Sequence, residues 1–240
     1  MERKKRVSLF LLALAASPAA ADDFIIDAPR IAAGERTLEA DYTYYAGHGR
    51  DENGYFGQHY AVNYAVSEQW ETSFLGEFEN EPGNAPYASH IEWQNIFVPF
   101  RPGTWWLDVG GEIEIDQSTK AQVPSVVQTK LLLEKDFGKV SNVANIVFDR
   151  SYGPHAESGL DTGLLWITSY SFRDEFSLGV QYSNDLGVLD RTGSFNSQEH
   201  VLGPVAQGEI GKLSYITGVL FGLTSNSPGA VLRLDMEYGF

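Results

Sequence analysis

The sequence predicts an all-β fold: an antiparallel up-and-down transmembrane β-barrel of about twelve strands. Three observations predict it. Apolar and polar residues alternate strictly over segments of about ten residues, short and long connections alternate between those segments, and the N-terminus is built like an export signal.

Arg3, Lys4, Lys5 and Arg6 precede an apolar run from Val7 to Ala16; Ser17-Pro18 breaks the run, and Ala19-Ala20-Ala21 supplies small residues for cleavage. A spanning helix needs ~20 apolar residues, so this run reads as a secretory signal peptide rather than an anchor. The expected organisation is a cleaved signal at 1–21, a short periplasmic segment at 22–35 and the barrel at 36–240. No separate plug domain is expected in so short an N-terminal segment.

The alternation is clearest in four places. From Arg36 to Gly47, Leu38, Ala40, Tyr42 and Tyr44 oppose Thr37, Glu39, Asp41 and Thr43. Between Gln69 and Glu81, Trp70, Thr72, Phe74, Gly76 and Phe78 oppose Glu71, Ser73, Glu77 and Glu79. Trp105, Leu107, Val109, Ile113 and Ile115 oppose Asp108, Glu112, Glu114 and Asp116. In the last segment, Leu232, Leu234, Met236, Tyr238 and Phe240 oppose Arg233, Asp235 and Glu237. A strand sends successive side chains to opposite faces, so each segment has one apolar and one charged wall. At 100° per residue a helix would scatter the same positions around its axis.

Such segments are expected at roughly 36–47, 55–66, 69–80, 87–98, 104–116, 124–135, 140–150, 159–172, 175–186, 199–209, 212–222 and 230–240. Short connections, including Ser67-Glu68, Arg101-Pro102-Gly103 and Arg173-Asp174, follow every second segment. Longer ones rich in Gly, Pro, Asn or charge, such as His48–Gly54 and Leu186–Ser197, follow the others. Short periplasmic turns and long extracellular loops give this rhythm, and an even strand number leaves both ends in the periplasm.

A soluble β-sandwich or lipocalin-like barrel would alternate too. Its interior would be the apolar wall, however, and the polar walls here carry several carboxylates per strand, which suits water rather than a dry core. Aromatic residues near segment ends (Trp70, Trp93, Trp105, Trp166, Tyr170 and Phe172) fit interfacial girdles.

Cleavage after residue 21 would remove four of the 17 Lys and Arg and one of the 32 Asp and Glu, leaving a formal charge of −18. That balance disfavours a nucleic-acid partner. The chain has no cysteine, which excludes disulfides, thiolate metal sites and a Cys nucleophile.

The ending Leu232-Arg-Leu-Asp-Met-Glu-Tyr-Gly-Phe240 resembles the C-terminal strand of bacterial outer-membrane β-barrel proteins. That resemblance implies an outer-membrane location, contact with membrane lipid, and Tyr238 and Phe240 as an export signal read by the barrel-assembly machinery. The stretches Gly203-Pro204 and Gly222–Pro228 resemble transporter barrels of the meta-pathway phenol-degradation family. This second resemblance implies solute uptake and carries over no site residue.

With apolar faces toward lipid, the lumen is expected to hold the carboxylates. Glu77, Glu112, Glu114, Asp116 and Asp161 converge on the extracellular half together with Arg233, and Lys130 is a further counter-charge on the inner wall. Charged rings of one sign set channel selectivity, so these residues point to passive, cation-preferring passage of small solutes. The alternative is a structural or recognition barrel whose lumen is filled and whose loops bind a partner. Leu165, Ile167, Ile216 and Leu220 fall on the inner parity, and Leu186–Ser197 is the loop expected to constrict the lumen.

A lipid-modifying hydrolase would need adjacent Ser and His side chains on the lipid-facing wall, and His48, His59, His90, His155 and His200 show no recognisable Ser pairing. The reading is therefore not an enzyme. No local metal-ligand spacing links His59, His90, Glu92 and His200, and no phosphate-binding loop occurs; neither a metal nor a cofactor is expected.

Overall fold

A computed structural model describes residues 24–47, 53–80 and 82–240. The expected signal peptide and His48 lie outside them. Twelve strands follow in order: β1 (Arg36–Ala46), β2 (Phe56–Ser67), β3 (Trp70–Asn80), β4 (Tyr87–Phe97), β5 (Asp108–Ser118), β6 (Ser125–Phe137), β7 (Val140–Tyr152), β8 (Asp161–Arg173), β9 (Phe176–Val188), β10 (Glu199–Ile210), β11 (Leu213–Gly222) and β12 (Ala230–Gly239). Each pairs antiparallel with its sequence neighbours, and β12 closes onto β1 from Thr37↔Gly239 to Ala46↔Ala230. Closure removes the free sheet edges that hydrocarbon cannot satisfy.

The polar parity faces inward. Along β1, Thr37, Asp41, Thr43 and Tyr45 are buried, whereas Leu38 and Tyr44 are exposed. Phe74, Ile91 and Val62 are 63%, 61% and 53% exposed on the outer face. Rings stack there across strands, Trp70 on Phe97 and Phe74 on Trp93, each at 6.4 Å between centroids. An apolar outside around a charged inside is the arrangement of a barrel in lipid, the reverse of a soluble one.

Four connections on one rim are two-residue turns, at 68–69, 138–139, 174–175 and 211–212. Gly138 (φ 64°) and Gly211 (φ 67°) supply the left-handed backbone such tight turns require. The fifth connection on that rim, 98–107, is longer than expected because β5 begins at Asp108 rather than at residue 104. The Asp108 carboxylate accepts a hydrogen bond from Gly103 N (2.6 Å) and bends the chain before the strand. Trp105 and Trp106 thus leave the strand and stand exposed, Trp105 against Phe100 and Trp106 beneath the Lys135 ammonium.

The N-terminal segment departs most from expectation. Residues 24–31 do not stand off the short-turn rim but run inside the barrel. Ile31 packs near that rim beside the buried cluster of Ile96, Val98 and Leu132. Phe24 lies deepest, in a cluster with Tyr45, Tyr55, Ile167, Val201, Val205, Leu220 and Val231. Gly34 N then donates to Ala65 O, leading the chain into β1.

Candidate functional site: the barrel lumen

The inner wall divides into two sectors. On β2 to β5 it is acidic. His59, Glu77 and His90 are register neighbours on three adjacent strands, and Glu92 follows His90 on the same face. His90 Nδ1 lies 2.5 Å from Glu77 Oε2, and His59 Nε2 lies 3.6 Å from Glu77 Oε1 and 3.8 Å from Glu92 Oε1. The Tyr55 hydroxyl donates to Glu79 Oε1 at 3.3 Å, and that of Tyr87 donates to Glu79 Oε2. Glu112, Glu114 and Asp116 continue the carboxylate face on β5. In register, Glu112 opposes Lys130 and Glu114 opposes Gln128 on β6.

On β8 to β12 the inner wall carries an apolar patch among polar positions that include Gln181, Ser183, Arg233 and Asp235. Leu165, Ile167, Val201, Val205, Leu220 and Val231 are all under 9% exposed, and all but Leu165 cluster with the Phe24 ring, which lies 6.1 Å, edge-on, from Tyr45. Polar exceptions hold the segment's backbone. Gln181 Nε2 donates to Phe24 O at 3.0 Å, and Arg233 Nη1 donates both to Phe24 O and to Gln181 Oε1 (2.7 Å).

Between the sectors the segment is held by side chains. The Asn145 amide clamps Asp27, its Oδ1 accepting from Asp27 N and its Nδ2 donating to Asp27 O, both at 2.8 Å. Lys130 Nζ lies between Asp27 Oδ2 (3.1 Å) and Glu112 Oε1 (3.2 Å), with the Lys130 and Glu112 side chains 1% and 0% exposed. Lower down, Arg30 pairs with Glu134 at 2.5 Å and with Asp136 at 2.7 Å. Pro29 sits where a side chain at position 110 would go, since a Cβ built on Gly110 would stand 3.0 Å from the Pro29 Cβ.

Of the residues expected in the site, Glu77, Glu112, Glu114, Lys130 and Arg233 are buried on the inner wall. Asp116 is partly exposed beside His90, at 4.0 Å. Asp161 starts β8 at the opposite side of the ring, opposite Asp149 and Val188, and does not join the Glu77 group. The loop after β9 does not constrict the lumen. β9 extends to Val188, and the loop instead bonds its neighbours, Arg191 Nη2 donating to Ser158 O and Asn226 Nδ2 to Ser197 O. Phe195 in that loop stacks on His200 at 4.2 Å. Leu165 and Ile167 are inward and buried as expected, and Ile167 packs in the cluster around Phe24.

Sequence reasoning missed Glu134, Asn145 and Gln181, although each shares parity with inward neighbours of its strand. It also missed Phe24, Asp27 and Arg30, which carry no periodic signal. The His rings find polar partners: His155 with Gln122, and His200 with Tyr182 and Gln198. Tyr238 and Phe240 lie on the outer wall, 46% and 58% exposed, with Phe240 N donating to Arg36 O.

A closed twelve-strand barrel with an apolar belt outside and a charged wall inside is an outer-membrane β-barrel protein, located in the cell outer membrane. Solved structures bear out the fold. An outer-membrane channel from Pseudomonas putida F1 matches with a TM-score of 0.63 at 12% identity, over 88% of this chain and 97% of that one. The NanC porin matches with a TM-score of 0.60 at 8% identity, over 84% and 98%. The KdgM porin matches with a TM-score of 0.56 at 9% identity, over 85% and 99%. No family model and no curated protein matches the chain, so the narrower likeness drawn on Gly203-Pro204 and 222–228 rests on those residues alone.

Proposed function

We propose that the barrel is an outer-membrane channel for passive passage of small solutes, cation-preferring through Glu77, Glu112, Glu114 and Asp116, and closed at rest by residues 24–31. The observation that carries this reading is how the segment is held. It crosses the lumen on side-chain contacts from Asn145, Lys130, Gln181 and Arg233, outside the strand ladder. A segment held this way can withdraw without breaking any strand pairing, and the wall it uncovers is rich in carboxylates. Lys130 would then lose Asp27, and Arg233 its backbone acceptor. Solved channels and porins of the same fold support the class of activity, and the buried carboxylates support the sign of the preference.

The same filling supports a second reading, a recognition barrel that stays blocked and binds a partner through its long loops. Planar-bilayer recordings separate the two. The full chain should give small, intermittent conductance, and a chain lacking residues 24–31 a larger, steady one, both with reversal potentials of cation preference in a salt gradient. No conductance from either chain, or anion preference, refutes the channel.

Tyr238 and Phe240 belong to this reading as the export signal for the barrel-assembly machinery. Their outward placement at the short-turn rim leaves them open to such a partner. Substituting both by Ala should lower the amount of assembled barrel in the outer membrane.

A further inference from the structure

The inner wall of β2 to β4 places imidazole and carboxylate donors at the spacing of metal ligands. We propose that His59 Nε2, Glu77 Oε1 and Glu92 Oε1 form a binding site for a divalent cation of the zinc class in the extracellular half of the lumen. The three donor atoms lie within 4.8 Å of one another. The His59 Nε2 separations of 3.6 Å to Glu77 and 3.8 Å to Glu92 are longer than an N–H···O hydrogen bond of ~2.9 Å. They are close to the ~3.4 Å edge set by two ligands each ~2.1 Å from a tetrahedral ion.

The neighbours are those a metal site requires. His90 Nδ1 holds Glu77 Oε2 at 2.5 Å, which turns Oε1 toward His59 and fixes the carboxylate from behind. Glu79 is occupied by Tyr55 and Tyr87 and supplies negative charge rather than a ligand. His59, Glu77 and Glu92 are 1%, 2% and 3% exposed, and they project from three paired strands, a rigid frame.

Charge points the same way. Glu77, Glu79 and Glu92 outnumber His59 and His90, so the five side chains keep a net negative charge even with both rings protonated. Among the described residues, Lys130 pairs with Glu112 and Asp27, and Arg233 bonds Gln181, Asp235 and Phe24 O. A divalent ion offsets buried carboxylates that otherwise cost several kcal/mol to keep charged. Imidazole among the donors favours zinc-class ions over magnesium or calcium, which take oxygen. Three protein ligands leave a fourth position open to water. The proposal concerns the wall and holds whether or not the lumen conducts.

The test is equilibrium dialysis of the full mature barrel in detergent against zinc chloride. One zinc per chain is expected, with binding weakened at least tenfold by His59→Ala and by Glu92→Gln and unchanged by Glu134→Gln at the opposite end of the lumen. No zinc bound by the unsubstituted chain, or equal binding by all variants, overturns the proposal. If the variants fail to fold, the unsubstituted barrel loaded with cobalt(II) still decides. It should show visible ligand-field absorption that zinc abolishes, and a colourless barrel overturns the proposal.

Discussion

The two halves of the inner wall are built on the same alternation and filled in opposite ways. On β2 to β5 the inward positions hold Glu77, Glu92, Glu112 and Glu114; on β8 to β12 they hold Leu165, Ile167, Val205, Leu220 and Val231. Strand geometry decides only which positions point inward. What the wall faces decides their chemistry. The apolar half faces Phe24 and is a small protein core inside the barrel. The polar part of the segment bonds to β6 and β7, and Lys130, reaching from β6 to Asp27 and Glu112, ties it to the acidic wall at β5. The lumen is therefore neither a uniform pore nor a uniform plug.

Breaking the join should have the largest effect. Lys130→Ala takes the ammonium away from buried Glu112 and partly buried Asp27, a loss of about 3–5 kcal/mol. A matching drop in the urea midpoint of the refolded barrel checks it. Lys130→Ala with Glu112→Gln should recover part of that loss, because the double variant removes one of the stranded charges.

The apolar half gives the next effect. Phe24→Ala empties the centre of its cluster and should cost about 3 kcal/mol. Phe74→Ala, on the lipid face, should cost well under half as much, since lipid replaces the lost contacts. Comparable midpoints for the two variants would show that Phe24 does not occupy a packed core.

A smaller change sharpens the acidic half. Glu114→Gln removes one luminal charge without altering shape and should lower the cation-to-anion permeability ratio by about twofold or less. Stability should move by less than about 1 kcal/mol. Reversal potentials in a potassium chloride gradient read the first quantity and urea unfolding the second. The same substitution logic at Asp161→Asn, remote from the Glu77 group, predicts a weaker shift still.

Most of the barrel was legible in the sequence because period-two alternation is a local property. All twelve strands fall within a few residues of their expected places, and the inward parity of Glu77, Glu112, Lys130 and Arg233 follows from it. The early start expected for β5 failed because Trp105 and Leu107 continue the alternation, while the bond from Gly103 N to Asp108 that bends the chain has no periodic mark. The luminal segment was not legible for a deeper reason. Phe24, Asp27 and Arg30 take their conformation from Gln181, Asn145, Lys130 and Glu134, more than 100 residues away in each case. The meeting of His59 with Glu77 and Glu92 is likewise a product of register, which no local spacing announces.

The central claim is that residues 24–31 close the lumen and must leave it for solutes to pass. The chain has no native cysteine, and Pro29 lies against Gly110, whose built Cβ would stand 3.0 Å from that of Pro29. A disulfide spans ~3.5–4.5 Å between Cβ atoms, so Pro29→Cys with Gly110→Cys can pin the segment to the wall after a shift of less than about 1 Å. Single-channel recording of this full-length double variant is the direct test. The expected result is no openings while the bond is oxidised and cation-preferring openings once a reducing agent is added. Equal conductance in the two states would contradict the account.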